Sequence, residues 1–214
     1  MWTVPGPQSR RAAGRRSAES GSAALLFAPG RAGAADNPVL EEIIAKVNGD
    51  AVGAGWNLAL GCDLVAATPE STFSQIFSKR GLSVDLGGSW LLPKIVGLQQ
   101  AKRLVLLAET IDAAEAHALG LVTWMVGAGE IDAFVADVAD RLAAGPPVAL
   151  AHSKALLNEG VDRTMRDALA NEARAQVGNF ATVDSAEAYA AFAEKRDPSF
   201  TGQWAVKRSE QKNA

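Results

Sequence analysis

One stretch constrains the fold more than any other: AKVNGDAVGAGWNLALGCDLVAA, residues 45–67. It begins as an apolar strand, breaks at Gly53-Ala54-Gly55, resumes as a short apolar helix over 54–60, and ends in CDLVAA, a buried strand bounded by Pro69. Glycine has no Cβ and reaches φ values that other residues avoid, so backbone at such a turn can approach a ligand closely. The first amides of the following helix have no partner inside it, and the helix dipole adds partial positive charge there. A site of this kind suits an oxygen that is negative or becoming so. A tight turn that merely seats a helix on a sheet would leave the same pattern. Two nucleotide-binding readings fail. A dinucleotide fingerprint needs a third glycine where Leu58 stands, and a phosphate loop needs Gly-Lys-Ser/Thr, with no lysine following this turn.

Beyond the turn, strands and helices alternate, so the expected class is α/β. The segment STFSQIFSKRGLSVDLGGSW reads as a mixed loop with one or two helical turns. The pattern then predicts a helix over 87–96 interrupted by Pro93, and a second over 99–108. Asp112 is placed to cap a short helix that stops at Gly120, and LVTWMV, 121–126, returns as a strand. Over 130–144, Ile131, Phe134, Val135, Val138 and Leu142 form one apolar helical stripe, broken by Gly145-Pro146-Pro147. Three more helices are predicted at 148–158, 162–178 and 184–195, with Asp162 and Asp184 as N-caps. Their apolar faces outnumber the partners visible within the chain, which points to burial against another subunit.

Composition excludes several function classes. A net charge of −3 gives no electrostatic case for nucleic acid. No stretch approaches the roughly 18 apolar residues that a membrane span requires. The single cysteine, Cys62, forms no internal disulfide and is read as a core filler, and neither His117 nor His152 has a neighbour at metal-ligand spacing. His117, His152, Trp90 and Trp124 read as structural, the tryptophans as core. These features describe a cytoplasmic type of chain. The first 35 residues differ, with Arg10, Arg11, Arg15, Arg16 and Arg31 against the single acid Glu19. That composition is similar to a transit peptide, and SRR at 9–11 to a twin-arginine signal, but AALLFA is shorter than a secretory apolar core of about 7–15 residues. Residues 1–36 are read as a poorly ordered or degenerate lead-in, 37–145 as a partial core, and 146–214 as a C-terminal helical region.

Four motifs in order resemble the crotonase superfamily, the enoyl-CoA hydratases and isomerases: VNGDAVGAGWNLALGCDLVAA, FSKRGLSVDLGGSWLLPKIVG, AHALGLVTWMV and FAEKRDPSFTG, running from about 37 to 202. The resemblance implies a spiral of strand-strand-helix units, truncated at the front, with a C-terminal helical oligomerisation region. It also implies a trimer or a pair of trimers, and an acyl-CoA thioester substrate whose coenzyme A is the only cofactor-like group involved. In this family two backbone amides hold the thioester carbonyl oxygen, and the middle residue of the Gly-rich turn supplies one; here that is Ala54, flanked by Gly53 and Gly55 as substrate-binding backbone. The second donor comes from a preceding motif, which LLFAPGRAGAAD at 25–36 resembles in shortened form, making Ala35 the candidate and Asp36 its neighbour. Hydratases of the family use two glutamates, and the matching positions hold Asn57 and Phe77, neither of which moves a proton at neutral pH.

Asp85, before the Gly87-Gly88 pair, stands where isomerase-like members carry a proton-shuttling aspartate. One base that takes a proton from one carbon and returns it to another shifts a double bond without further help. Asp85 could equally cap the helix that opens at the Gly pair. The resemblance therefore implies an enoyl-CoA isomerase or hydratase/isomerase, with Asp85 and Ala54 catalytic and Gly53, Gly55 and Gly88 lining the substrate. Two other readings stay open: an acyl-CoA-binding paralogue without turnover, and a structural subunit of a homologous oligomer.

Overall fold

The computed structural model describes residues 23–27, as backbone, and 42–205. Two short sheets divide the strands. The first holds β1 (Ala23–Phe27), β2 (Ile43–Val47), β4 (Leu64–Ala67) and β7 (Trp124–Met125) in the order β1-β2-β4-β7. The second holds β3 (Asp50–Val52), β5 (Thr72–Ser74) and β6 (Thr110–Asp112) in the order β3-β5-β6. β1, which falls inside the segment read as a lead-in, runs antiparallel to β2 with Leu25 opposite Ala45. β2, β4 and β7 are parallel, as are β3 and β5, and β6 closes the second sheet antiparallel.

The chain passes from β2 into β3 and then into helix α1 (Ala54–Leu60); β4, β5 and helix α2 (Gly88–Leu107) repeat the sequence. This is the strand-strand-helix spiral that the motif order implies. Both passages meet at one buried corner, where Ser71 Oγ donates to the Val47 carbonyl at 3.0 Å and lies 3.1 Å from Thr68 Oγ1. The Thr68 amide donates to the same carbonyl, so the polar backbone of the corner is satisfied without water.

Alternation along the central strands explains their uninterrupted apolar character. Ala45 and Val47 of β2, with Val65 and Ala67 of β4, face a core with Trp56, Phe73, Leu92 and Leu104. Ile44 and Ala66, on the opposite face, pack under Ile131, Val135 and Val138 of helix α4 (Ile131–Ala143). Strands buried on both faces read as continuous apolar runs, as CDLVAA does. Helix α3 (Ala113–Ala118) opens on Asp112, whose carboxylate accepts the Glu115 amide at 2.8 Å, the cap expected from the sequence.

Helix α2 is two arms. Gly97, at φ 74° and ψ 160°, breaks it between the two predicted segments. In the first arm Lys94 stacks over the Trp90 ring at 3.6 Å and pairs with Asp162 at 2.6 Å. Trp90 is therefore not core, being 51% exposed, whereas Trp124 packs edge-on against Phe134 at 5.3 Å.

Helices α5 (Pro147–Gly160), α6 (Met165–Phe180) and α7 (Val183–Glu194) form the C-terminal region. Their N-caps correct the sequence expectation: α6 opens on Thr164, whose hydroxyl accepts the Asp167 amide, and α7 on Thr182. Asp162 goes instead to Lys94, and Asp184 turns inward, accepting the Thr201 and Gly202 amides at 2.7 and 2.8 Å. The strand expected over 121–126 shrinks to β7 because only Trp124 and Met125 find ladder partners on β4, while Leu121 and Val122 enter the core. His117 donates through Nδ1 to the Val122 carbonyl at 2.9 Å, and His152 Nδ1 lies 2.8 Å from Asn179 Oδ1, joining α5 to α6. Within the single chain α6 buries none of its side chains fully, and Met165, Val177, Phe180 and Phe192 of the region stand exposed, Phe192 at 85%. Among the described residues no helix is long and apolar enough to cross a membrane.

The chain after α7 is fastened by a charged clamp. Arg196 bonds both Glu187 oxygens at 2.5 and 3.0 Å, and the Ser199 amide donates to the same carboxylate at 3.0 Å. The Arg196 bond, then the Ser199 amide, pull the Glu187 carboxyl down to about 2 from an ordinary 4.5. Because the folded value is the lower one, this contribution to stability is complete above about 4.5 and is lost as pH falls towards 2. The Ser199 amide resonance is expected to titrate near pH 2, and Glu187→Gln should abolish that titration in an NMR pH series.

Candidate active site

The Gly-rich turn is tied to the second sheet. The Gly53 amide donates to the Ser74 carbonyl at 2.8 Å, extending the β3–β5 ladder by one residue. Gly53 lies at φ 55° and ψ −121°, a conformation essentially restricted to glycine, and it turns the chain directly into α1. The first bond of that helix is Asn57 N–H to the Gly53 carbonyl, at 3.0 Å. The amides of Ala54, Gly55 and Trp56 precede it, and no side chain caps them. Gly53 is buried, while Ala54 and Gly55 are half-buried at the end of the helix.

Both positions that match the family's glutamates are built into the packing. Phe77 is buried, its ring close enough that a Cβ on Gly53 would lie 3.5 Å from it. Asn57 is 1% exposed; its Nδ2 donates to the Asp85 carbonyl at 2.9 Å, and its Oδ1 accepts from Gln75 Nε2 at 2.8 Å. Asp85 thus sits on a loop bonded to the first turn of α1, the helix that begins at Ala54. Its own side chain is exposed. It is not the helix cap that one reading allowed: α2 opens on Gly87, with no side-chain cap. Gly88 is buried against Asn57, where an added Cβ would come within 2.5 Å of the amide group. Beyond Gly88 an apolar cavity of about 160 Å³ opens between the arms of α2, lined by Val84, Leu92, Leu98, Ala101 and Val105 among others.

Gly53, Ala54, Gly55, Asp85 and Gly88 therefore gather around the N-terminal half of α1. Ala35 and Asp36 lie outside the described residues. Gln75 was not legible beforehand, since a glutamine in a polar loop has no local signature of burial. Among the described residues no three His, Cys, Asp or Glu side chains converge as metal ligands would.

Cys62 lies at the edge of the core, half-buried, with Sγ 3.3 Å from the Leu58 carbonyl, so it does not fill the interior as expected. Burial first, and then the Asp63 charge, push its thiol up to about 11 from 9.0, with Lys154 pulling the other way. The thiolate fraction at neutral pH is then about 10²-fold below that of an ordinary cysteine. Alkylation by iodoacetamide is expected to run slower than on a cysteine peptide by about that factor.

The family model described as enoyl-CoA hydratase/isomerase matches residues 38–203. A probable enoyl-CoA hydratase of Rhodobacter capsulatus is 40% identical over 161 residues, covering 75% of this chain and 63% of the relative. The 1,2-epoxyphenylacetyl-CoA isomerase of Escherichia coli is 39% identical over 162 residues, covering 75% and 62%. Among solved structures, an enoyl-CoA hydratase from Polaromonas superposes with a TM-score of 0.72 at 38% identity, covering 75% of this chain and 63% of that one. The chain spans about three-fifths of the length of these relatives. The matched region contains the second sheet, the first sheet apart from β1, the Gly-rich turn, the Asp85 loop and the C-terminal helices. The chain belongs to the enoyl-CoA hydratase/isomerase family.

Proposed function

We propose that this chain acts on acyl-CoA thioesters as an isomerase, with Asp85 carrying the proton and the Ala54 amide holding the carbonyl oxygen. Asp85 takes a proton from the carbon beside the thioester of a 3-enoyl ester. The electron pair moves into the carbonyl, giving a dienolate whose oxygen bears negative charge. The same Asp85, now protonated, returns the proton to C4, and the double bond comes to rest between C2 and C3. An amide aimed at that oxygen stabilises charge that develops only on the way to the enolate, which is where binding accelerates a reaction. Ala35 is proposed as the second donor, and coenzyme A enters as part of the substrate.

One observation carries this reading over hydration: Asn57 and Phe77, at the two glutamate positions, are locked into packing, while Asp85 keeps an exposed carboxylate on a loop bonded to α1. Addition of water needs a second acid/base group to activate it; moving a proton between two carbons needs one. The exposed apolar faces of α6 and α7 support a further part of the reading, that copies of this chain associate as a homo-oligomer through the C-terminal region.

The test is product analysis with matched 3-enoyl- and 2-enoyl-CoA esters. The isomerase reading expects 3-enoyl esters to become 2-enoyl esters, with 3-hydroxyacyl-CoA forming far more slowly. Rapid 3-hydroxyacyl-CoA formation from the 2-enoyl ester would overturn it in favour of hydration. Thioester binding with no turnover of either ester would favour the non-enzymatic binder.

A further inference from the structure

We infer that Asn57 is a positioning residue for Asp85, its uncharged amide fixing the loop through the Asp85 carbonyl. The inference rests on the reading of Asp85 as the proton carrier. The Asp85 carbonyl accepts two bonds, from the Gly88 amide at 2.9 Å and from Asn57 Nδ2 at 2.9 Å. A carbonyl can only accept, so Asn57 must present nitrogen to it and oxygen to Gln75, and Gln75 must in turn present Nε2, at 2.8 Å. The polarity of the whole chain of amides is dictated from the Asp85 carbonyl outwards. Its far end shows the cost: Gln75 is 0% exposed, and its Oε1 has no hydrogen-bond partner. The reversed arrangement would face oxygen to oxygen at Asp85, so the unpartnered acceptor is kept at Gln75 and the loop bond is kept at Asp85.

Space is fixed as tightly as polarity. Gly88 has no Cβ, and one placed there would fall 2.5 Å from both terminal atoms of Asn57. The amide is thus held between Gly88, the Asp85 carbonyl and Gln75 with no room to swing aside. An ionised carboxylate at position 57 has no proton for the Asp85 carbonyl and repels it. A longer acid has the same fault and an extra methylene to house. An ionised acid at 57 and this hydrogen-bonded placement of the Asp85 loop therefore exclude one another.

The experiment compares wild type, Asn57→Asp and Gly88→Ala in steady-state conversion of a 3-enoyl-CoA ester, with amide hydrogen exchange at residue 88 read alongside. Asn57→Asp keeps size and removes the donor once the new acid ionises, so its kcat is read across a pH series; Gly88→Ala keeps the donor and displaces it. Both are expected to lower kcat by about 10²-fold with KM little changed, the effect of misplacing a reacting group by about 1 Å. Both should also speed exchange at residue 88. A folded variant of either kind with wild-type kcat and wild-type exchange overturns the inference. If Asn57→Asp does not fold, Gly88→Ala decides by the same criteria, and if neither folds, residue 57 is a folding determinant and the positioning role is refuted. Should wild type turn over no thioester at all, the functional reading fails by itself, and exchange at residue 88 in Asn57→Asp alone decides whether the amide holds the loop.

Discussion

Asp85→Asn is expected to lower kcat for 3-enoyl-CoA isomerisation by about 10²–10⁴-fold, the range supplied by a positioned general acid/base, with KM little changed. The substitution is close to isosteric, and the amide it introduces cannot accept a proton from carbon. Structural side effects should be small. The Asp85 side chain is exposed, the helix that follows opens on Gly87 without a side-chain cap, and the loop is held through the Asp85 carbonyl, which asparagine retains. The unfolding free energy should therefore change by no more than about 0.5 kcal/mol, as for ordinary surface substitutions. A cap would behave the other way, losing about 1 kcal/mol of stability while leaving the rate intact. Kinetics and a denaturant titration on the same preparation separate the two outcomes.

Gly53→Ala is the second large effect, and it acts through backbone alone. An added Cβ would find ordinary contacts, 3.5 Å to Ile76 and Phe77, so crowding is not the problem. The conformation is: φ 55° and ψ −121° cost a residue with a Cβ of order 1–3 kcal/mol. The turn relieves that strain by rotating, which draws the Gly53 amide off the Ser74 carbonyl and swings the adjoining peptide, whose N–H belongs to Ala54. Loss of one oxyanion donor typically costs about 10²–10³ in kcat, and that is the expected fall. Gly55→Ala provides the stability control. Gly55 has no positive φ, nothing lies within 4 Å of its added Cβ, and its denaturation midpoint should hold while that of Gly53→Ala drops.

What the sequence made legible was local. The span of α1 follows from the glycine punctuation at Gly53 and Gly61, and the break in α2 falls at Gly97 as the two helical patterns around it require. The Asp112 cap was readable because donor and acceptor lie three residues apart. Asp162 and Asp184 had the same local signature, but each met a stronger distant partner: a lysine on α2 for one, two backbone amides beyond α7 for the other. The candidate site divides along the same line. The Gly-rich turn and Asp85 stand out by motif, whereas the contacts that hold them cross 18 and 28 residues of sequence and depend on how β5 and the Asp85 loop pack on α1. Asn57 could be recognised as a missing glutamate, but its work as a strut needed the fold. Trp90 was misread for a related reason: its neighbour four residues on, Lys94, covers the ring at the surface and removes the need to bury it.

The account stands on formation of an enolate at the Ala54 amide with Asp85 as the base, and exchange of carbon-bound hydrogen reports that step without requiring complete turnover. A 3-enoyl-CoA ester incubated with the protein in deuterium oxide and followed by NMR should incorporate deuterium at C2 and C4. Incorporation at both carbons should fall together in Asp85→Asn. Equal incorporation above background in wild type and Asp85→Asn, or conversion to the 2-enoyl ester undiminished in Asp85→Asn, would contradict the account.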